Sequence, residues 1–129
     1  MSAAEQELLA LSRQLLTAID SGDWKGYVAL CDESITCFEP EALGHLVGGL
    51  PFHKFYFDLP GSPTTPAKQS TIASPYVRVM GTAAVVTYVR VVQKIDACGS
   101  PLSTRAMETR IWEQQAAGWK HVHFHRTPV

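Results

Sequence analysis

The chain has 129 residues, 46% of them hydrophobic, and its 11 basic and 12 acidic residues give a formal net charge of -1. A chain of this length supports one domain, here 1–129, with one real core, because folding hides about two thirds of its surface. The balanced charge excludes a global field for nucleic acid or an anionic membrane, no apolar run nears the roughly 20 residues of a membrane helix, and Met1-Ser2-Ala3-Ala4-Glu5 lacks a secretory profile, so a cytoplasmic protein is expected.

Between Glu5 and Asp20, Leu8, Leu11, Leu15 and Ile19 recur at helical spacing, with Leu9 and Leu16 widening the stripe, which predicts one long amphipathic helix. Ser21-Gly22-Asp23 can end it with Gly22 left-handed, and Asp23 can cap a short second helix from Trp24 to Leu30. Ser34 to Phe38 reads as a strand broken by Pro40, and Pro51 suits the first turn of a third helix over Phe52 to Leu59. Gly44-His45-Leu46-Val47-Gly48-Gly49 lacks the lysine and hydroxyl of a nucleotide loop and reads as a turn. Pro60-Gly61-Ser62-Pro63-Thr64-Thr65-Pro66 reads as a surface loop, since its three prolines exclude regular structure.

Strand patterns then fill Gln69 to Met80, Ala83 to Asp96, Leu102 to Gln115 and Gly118 to Thr127, joined by turns short enough for antiparallel hairpins. Helices followed by a meander of strands predict an α+β fold, a curved sheet wrapped around the first helix. On Ala83 to Asp96 both faces are apolar: Val86, Tyr88 and Val92 on one, Val85, Val89, Val91 and Ile95 on the other. If the first helix covers one face, a second subunit is the expected cover for the other.

Each of the last three strands carries an arginine in apolar company: Arg90 beside Val86, Tyr88 and Val92, Arg110 beside Trp112, and Arg126 beside Val122 and Phe124. A guanidinium in such a place needs an anion. Glu39, Glu41 and Glu108 are the candidate internal counter-charges, but three arginines in one cavity keep spare donors unless two acids enter. The arginine fork suits a carboxylate, so the expectation is a pocket for a small carboxylate or other anion.

Other chemistry is less marked. His121, His123 and His125 alternate as if on one strand face, but residues i and i+4 stand about 13 Å apart while zinc takes its nitrogens at about 2 Å, so no metal site is expected there. Cys31, Cys37 and Cys98 lack metal-type spacing and read as free thiols. His53, Tyr56 and Tyr88 can serve acid-base chemistry if they face the cavity, with Glu39, Glu41 and His53 as candidate bases, yet no second partner stands at a telling spacing. No catalytic residue and no cofactor are assigned, and no basic stripe with stacking aromatics points to nucleic acid.

Thr36-Cys37-Phe38-Glu39-Pro40-Glu41-Ala42-Leu43-Gly44, Phe52-His53-Lys54-Phe55-Tyr56-Phe57, Glu108-Thr109-Arg110-Ile111-Trp112 and Val122-His123-Phe124-His125-Arg126 closely resemble the association (hub) domain of calcium/calmodulin-dependent protein kinase II. Ile19-Asp20-Ser21-Gly22-Asp23-Trp24 and Tyr88-Val89-Arg90-Val91 extend the likeness from about Glu5 to about Thr127. The resemblance implies a cone-shaped nuclear transport factor 2-like fold, with a long N-terminal helix packed in a strongly curved antiparallel sheet. It also implies two stacked rings, usually dodecamers or tetradecamers, and a cavity lined by Arg90, Arg110 and Arg126 that accepts small carboxylates; His53 and Tyr88 are taken as further candidate ligand-binding residues.

The sequence departs from that pattern at several places. The long helix begins within a few residues of Met1, so a stand-alone hub is expected. Leu59-Pro60-Gly61-Ser62 lacks the tryptophan that closes over the pocket in the kinase hubs, and His45 and Gly48 replace residues that are usually amide and acidic. The reading is a self-assembling, non-catalytic oligomerisation module with an anion pocket. Its alternatives are a small cone-fold enzyme (isomerase, dehydratase or hydrolase) working in that cavity, or a free hub that joins kinase hub domains in trans.

Overall fold

The computed structural model describes residues 1–59 and 68–129. The proline-rich segment read as a surface loop, and most of the stretch matched to the tryptophan-bearing lid, lie outside these residues.

Helix α1 (Ala3–Ser21) starts at Ser2, whose hydroxyl accepts from the Glu5 backbone while the Glu5 carboxylate accepts from the Ser2 backbone, so two orphan donors are satisfied reciprocally. It ends at Gly22, which at φ 69° takes the left-handed conformation that the sequence reserves for it. Asp23 then accepts from Gly26 N and caps α2 (Trp24–Leu30). Strand β1 (Cys31–Phe38) starts three residues earlier than its sequence pattern suggested and stops before a short 3-10 turn at Pro40–Ala42. Within the stretch read as a turn, Val47–Gly48 forms a two-residue strand, β2, before α3 (Pro51–Asp58). The four long strands follow as β3 (Gln69–Met80), β4 (Ala83–Ile95), β5 (Pro101–Gln115) and β6 (Gly118–Pro128).

They form one six-stranded sheet in the order β2-β1-β6-β5-β4-β3. The predicted hairpins of β3 to β6 are antiparallel, and one further seam, between the first strand and the last, is parallel: β1 pairs β6 with Thr36 opposite His123 and Cys37 opposite Phe124. Hairpin spacing reveals only neighbours in sequence, whereas this pair joins the first strand to the last. A register shift between β5 and β6, where Ile111 lies opposite His123 but Trp112 opposite His121, corrects the reading of the histidines. An extra residue on one strand reverses the inside-outside phase beyond it. His121 therefore points inward and is fully buried, while His123 is half-buried and His125 exposed, so the three histidines do not share a face.

The inner face carries the core. On β4, Ala84, Val86, Tyr88 and Arg90 are buried, and on β5 Ala106, Glu108, Arg110 and Trp112. Leu8, Leu15 and Leu16 of α1 belong to the same cluster as Val86, Tyr88, Trp112 and Phe124. Val85, Thr87, Val89 and Val91 face the other way, opposite Ile111, Thr109, Met107 and Arg105 on β5, with Met107 half exposed.

Candidate functional site

The inner face brings the predicted arginines and acids together, but in a different balance from that expected. Tyr88, Glu108 and Arg126 occupy one cross-strand row, and Val86, Arg110 and Phe124 the adjacent one. Arg110 is fully buried, and each of its three nitrogens has a partner: Nε donates to Tyr88 Oη at 2.7 Å, Nη2 to Glu108 Oε1 at 2.9 Å, and Nη1 lies 3.4 Å from His121 Nε2. Its guanidinium carbon sits 4.7 Å from the Phe124 ring centroid, adding a cation-π contact. Arg90 is equally engaged: Nε donates to Ser70 Oγ at 2.8 Å, Nη1 to Glu108 Oε2 at 3.4 Å and Nη2 to Asp20 Oδ1 at 2.7 Å. Glu108 also accepts from Tyr88 Oη at 2.7 Å. Arg126 bonds Glu41 and stands 3.9 Å from Glu39.

These contacts correct the charge argument. Three guanidiniums meet four carboxylates, those of Asp20, Glu108, Glu41 and Glu39. The inner face thus holds one more acid than base, and the spare donors expected of Arg90 and Arg110 are occupied. Asp20 is the acid that the sequence reading missed. Its signal was present: Asp20 follows Leu9 and Leu16 at i+11 and i+4, on the apolar side of α1.

The protonation states follow from this packing. Burial alone pushes Glu108 up, but the guanidiniums of Arg110 and Arg90 and the Tyr88 hydroxyl outweigh it and hold the carboxyl below its usual range. Burial, with Arg110 alongside, keeps His121 neutral far below its ordinary range. With Arg110 donating toward Nε2, the imidazole proton belongs on Nδ1, which faces Cys31 Sγ at 3.6 Å.

A second cluster adjoins the first. Cys37 Sγ lies 3.7 Å from His53 Nε2, and His53 Nδ1 lies 3.5 Å from Glu39 Oε1. Burial and then Arg110 lower His53 to about 4, so its imidazole is neutral at physiological pH. Burial, reinforced by Glu41, raises Glu39 despite Arg126 and Arg110. Tyr56 sits on the exposed side of α3 and takes no part. A groove of about 410 Å³ lined by Phe38, Glu39, Pro40, His125 and Arg126 opens beside this cluster. Of the three arginines, Arg126 is the one in the lining of this groove. A larger groove of about 600 Å³ runs between α1 and the start of β3, past Asp20 and Ser70.

Among known proteins, the sequence profile of the calcium/calmodulin dependent protein kinase II association domain matches residues 4–129. The calcium/calmodulin-dependent protein kinase type II alpha chain of Drosophila melanogaster is 45% identical over 127 residues, covering 98% of this chain and 24% of that protein. The chain therefore spans about a quarter of the length of the curated relatives it matches. The solved hub homology domain of calcium/calmodulin-dependent protein kinase II from Chlamydomonas reinhardtii is 50% identical, with a TM-score of 0.93 over 98% of this chain and 99% of that one. A nuclear transport factor 2-like superfamily protein from Salmonella enterica superposes with a TM-score of 0.77 over 96% of this chain and 89% of its own, and its 21% identity speaks for the fold alone. The fold is thus the nuclear transport factor 2-like one. Among the described residues no helix is long and apolar enough to cross a membrane.

Proposed function

The chain belongs to the calcium/calmodulin-dependent protein kinase II association-domain family, and from that premise we propose that it acts as a non-catalytic oligomerisation module whose partner is a second copy of itself. The observation that carries this reading is the outer face of the sheet. Across the register lie the rows Ala73-Val89-Met107-Thr127 and Arg78-Val85-Ile111-His123, opposite the side on which Arg90 meets α1. A second copy buries such a patch, and a closed ring does so without an open edge that would propagate into fibres. A ring of the hub type, a dodecamer or tetradecamer in two stacked layers, is the assembly we propose. Native mass spectrometry and sedimentation test it: one closed species of more than about ten subunits is expected, and a stable monomer at micromolar concentration refutes it.

The small-carboxylate reading contracts to Arg126. Its side chain is 22% exposed, against 9% for Arg90 and 1% for Arg110, and it lines the rim groove. A carboxylate bound there takes the place of Glu41 on the guanidinium fork. Such a ligand raises folded-state stability by about 2.7 kcal/mol at 100 times its dissociation constant. Arg126→Gln is expected to abolish the thermal shift, and a parent protein indifferent to a panel of small carboxylates removes this reading without touching the assembly.

A further inference from the structure

One acid of the inner face has no guanidinium within hydrogen-bond distance among the described residues. Arg90 and Arg110 are balanced by Asp20 and Glu108, and Arg126 by Glu41, which leaves Glu39 facing His53 and Cys37 with Arg126 only at 3.9 Å. We propose that Cys37, Glu39 and His53 form a binding site for a zinc-class divalent cation, reached through the groove that Glu39 and Arg126 line.

The donors come from separate elements: Cys37 from the end of β1, Glu39 from the residue entering the 3-10 turn, and His53 from the first turn of α3. Cys37 and Glu39 are alternate residues of one extended stretch and so share a side, while Pro51 at the start of α3 sets the helix that delivers His53. One ligand atom from each residue lies within 4.8 Å of the other two. In a tetrahedral zinc site a thiolate sulfur at 2.3 Å and an imidazole nitrogen at 2.0–2.1 Å stand about 3.6 Å apart. The separation of Cys37 Sγ and His53 Nε2 is 3.7 Å, so those two donors already hold that spacing.

The electronic requirements agree with the geometry. A zinc-class ion takes the imidazole as the neutral ring and the cysteine as the thiolate. When the ion enters, the S–H proton leaves to solvent as the sulfur–metal bond forms. The divalent charge is then cancelled by one thiolate and one carboxylate, which leaves the three-residue centre neutral. The donor set of one sulfur, one nitrogen and one oxygen suits zinc over calcium or magnesium, whose ligands are oxygen. Three protein donors also leave a position for water or a ligand on the groove side.

The test is a titration of the 129-residue protein, stripped with chelator, using cobalt(II) and then zinc. The expected result is about one cobalt per protomer with a thiolate-to-metal charge-transfer band, release of about one proton per ion, and displacement by zinc. Cys37→Ser should remove the band, and Glu39→Gln should weaken binding by at least about tenfold. Cys98→Ser and Cys31→Ala should retain it, because Cys98 is exposed on a hairpin and Cys31 pairs with His121. Should Cys37→Ser fail to fold, X-ray absorption on the zinc-loaded parent decides instead, with one sulfur neighbour at about 2.3 Å expected beside nitrogen and oxygen. No charge-transfer band in the parent, a band that survives Cys37→Ser or disappears with Cys98→Ser, or a zinc shell without sulfur overturns the proposal.

Discussion

Replacing Arg110 with Gln is the sharpest test of whether the inner arginines are structural. The substitution keeps much of the side-chain volume but removes a guanidinium that bonds Glu108 at 2.9 Å, Tyr88 Oη at 2.7 Å and approaches His121 at 3.4 Å, and it deletes the contact over Phe124. Breaking one side of a buried ion pair costs about 3–5 kcal/mol because a charge is left uncompensated. Glu108 still has the Tyr88 hydroxyl at 2.7 Å and Arg90 at 3.4 Å, which places the expected loss near the lower end, about 3 kcal/mol. The matched control is the double variant Arg110→Leu with Glu108→Leu, which removes both charges and should be markedly less destabilised than the sum of its single variants. Urea unfolding at fixed protomer concentration measures this, the concentration being held because self-association shifts apparent stability by mass action. An Arg110→Gln protein within about 0.5 kcal/mol of the parent would refute the closed network and return Arg110 to the role of a ligand-binding group.

Stability should fall as pH drops below about 6.5. His121 is held neutral in the folded state chiefly by burial and then by Arg110, so the unfolded chain binds a proton that the folded one refuses; its contribution is present above the unfolded value and lost as pH falls toward the folded one. His121→Gln should flatten the slope between pH 7 and pH 5, measured by thermal or urea unfolding, and identical slopes would contradict it. Val89→Glu, in the middle of the outer face, should leave the inner core intact but shift sedimentation toward smaller species; an unchanged ring would move the interface elsewhere. Ser2→Ala removes the hydroxyl half of the capping box and should cost about 1 kcal/mol of stability, read by chemical denaturation, while an unaffected protein would mean that the first turn contributes little.

The local instructions of this chain are plain in its sequence. The leucine stripe sets α1, Gly22 and Asp23 punctuate the helical hairpin, and the alternation on β4 and β5 puts Arg90, Glu108 and Arg110 on the buried side. Each of these depends on a period of 3.6 or 2 residues, or on one residue's backbone preference, and so needs no knowledge of distant partners. The Glu108–Arg110 pair was legible for the same reason, being two residues apart on one strand. What the tertiary structure decided is everything that joins distant segments. The parallel pairing of β1 with β6 sets Cys37 beside Phe124, α3 carries His53 to Cys37 and Glu39, and the end of α1 brings Asp20 to Arg90. The single-residue shift between β5 and β6 takes His121 off the face of His123 and His125 and makes it the buried neighbour of Arg110. Periodicity says which way a side chain points along its own element, but the partner it meets there belongs to another part of the chain, and that is why Glu39, Glu41 and Glu108 could be named as candidate counter-charges while the pairing of Asp20 with Arg90, and of Glu39 and Glu41 with Arg126, could not.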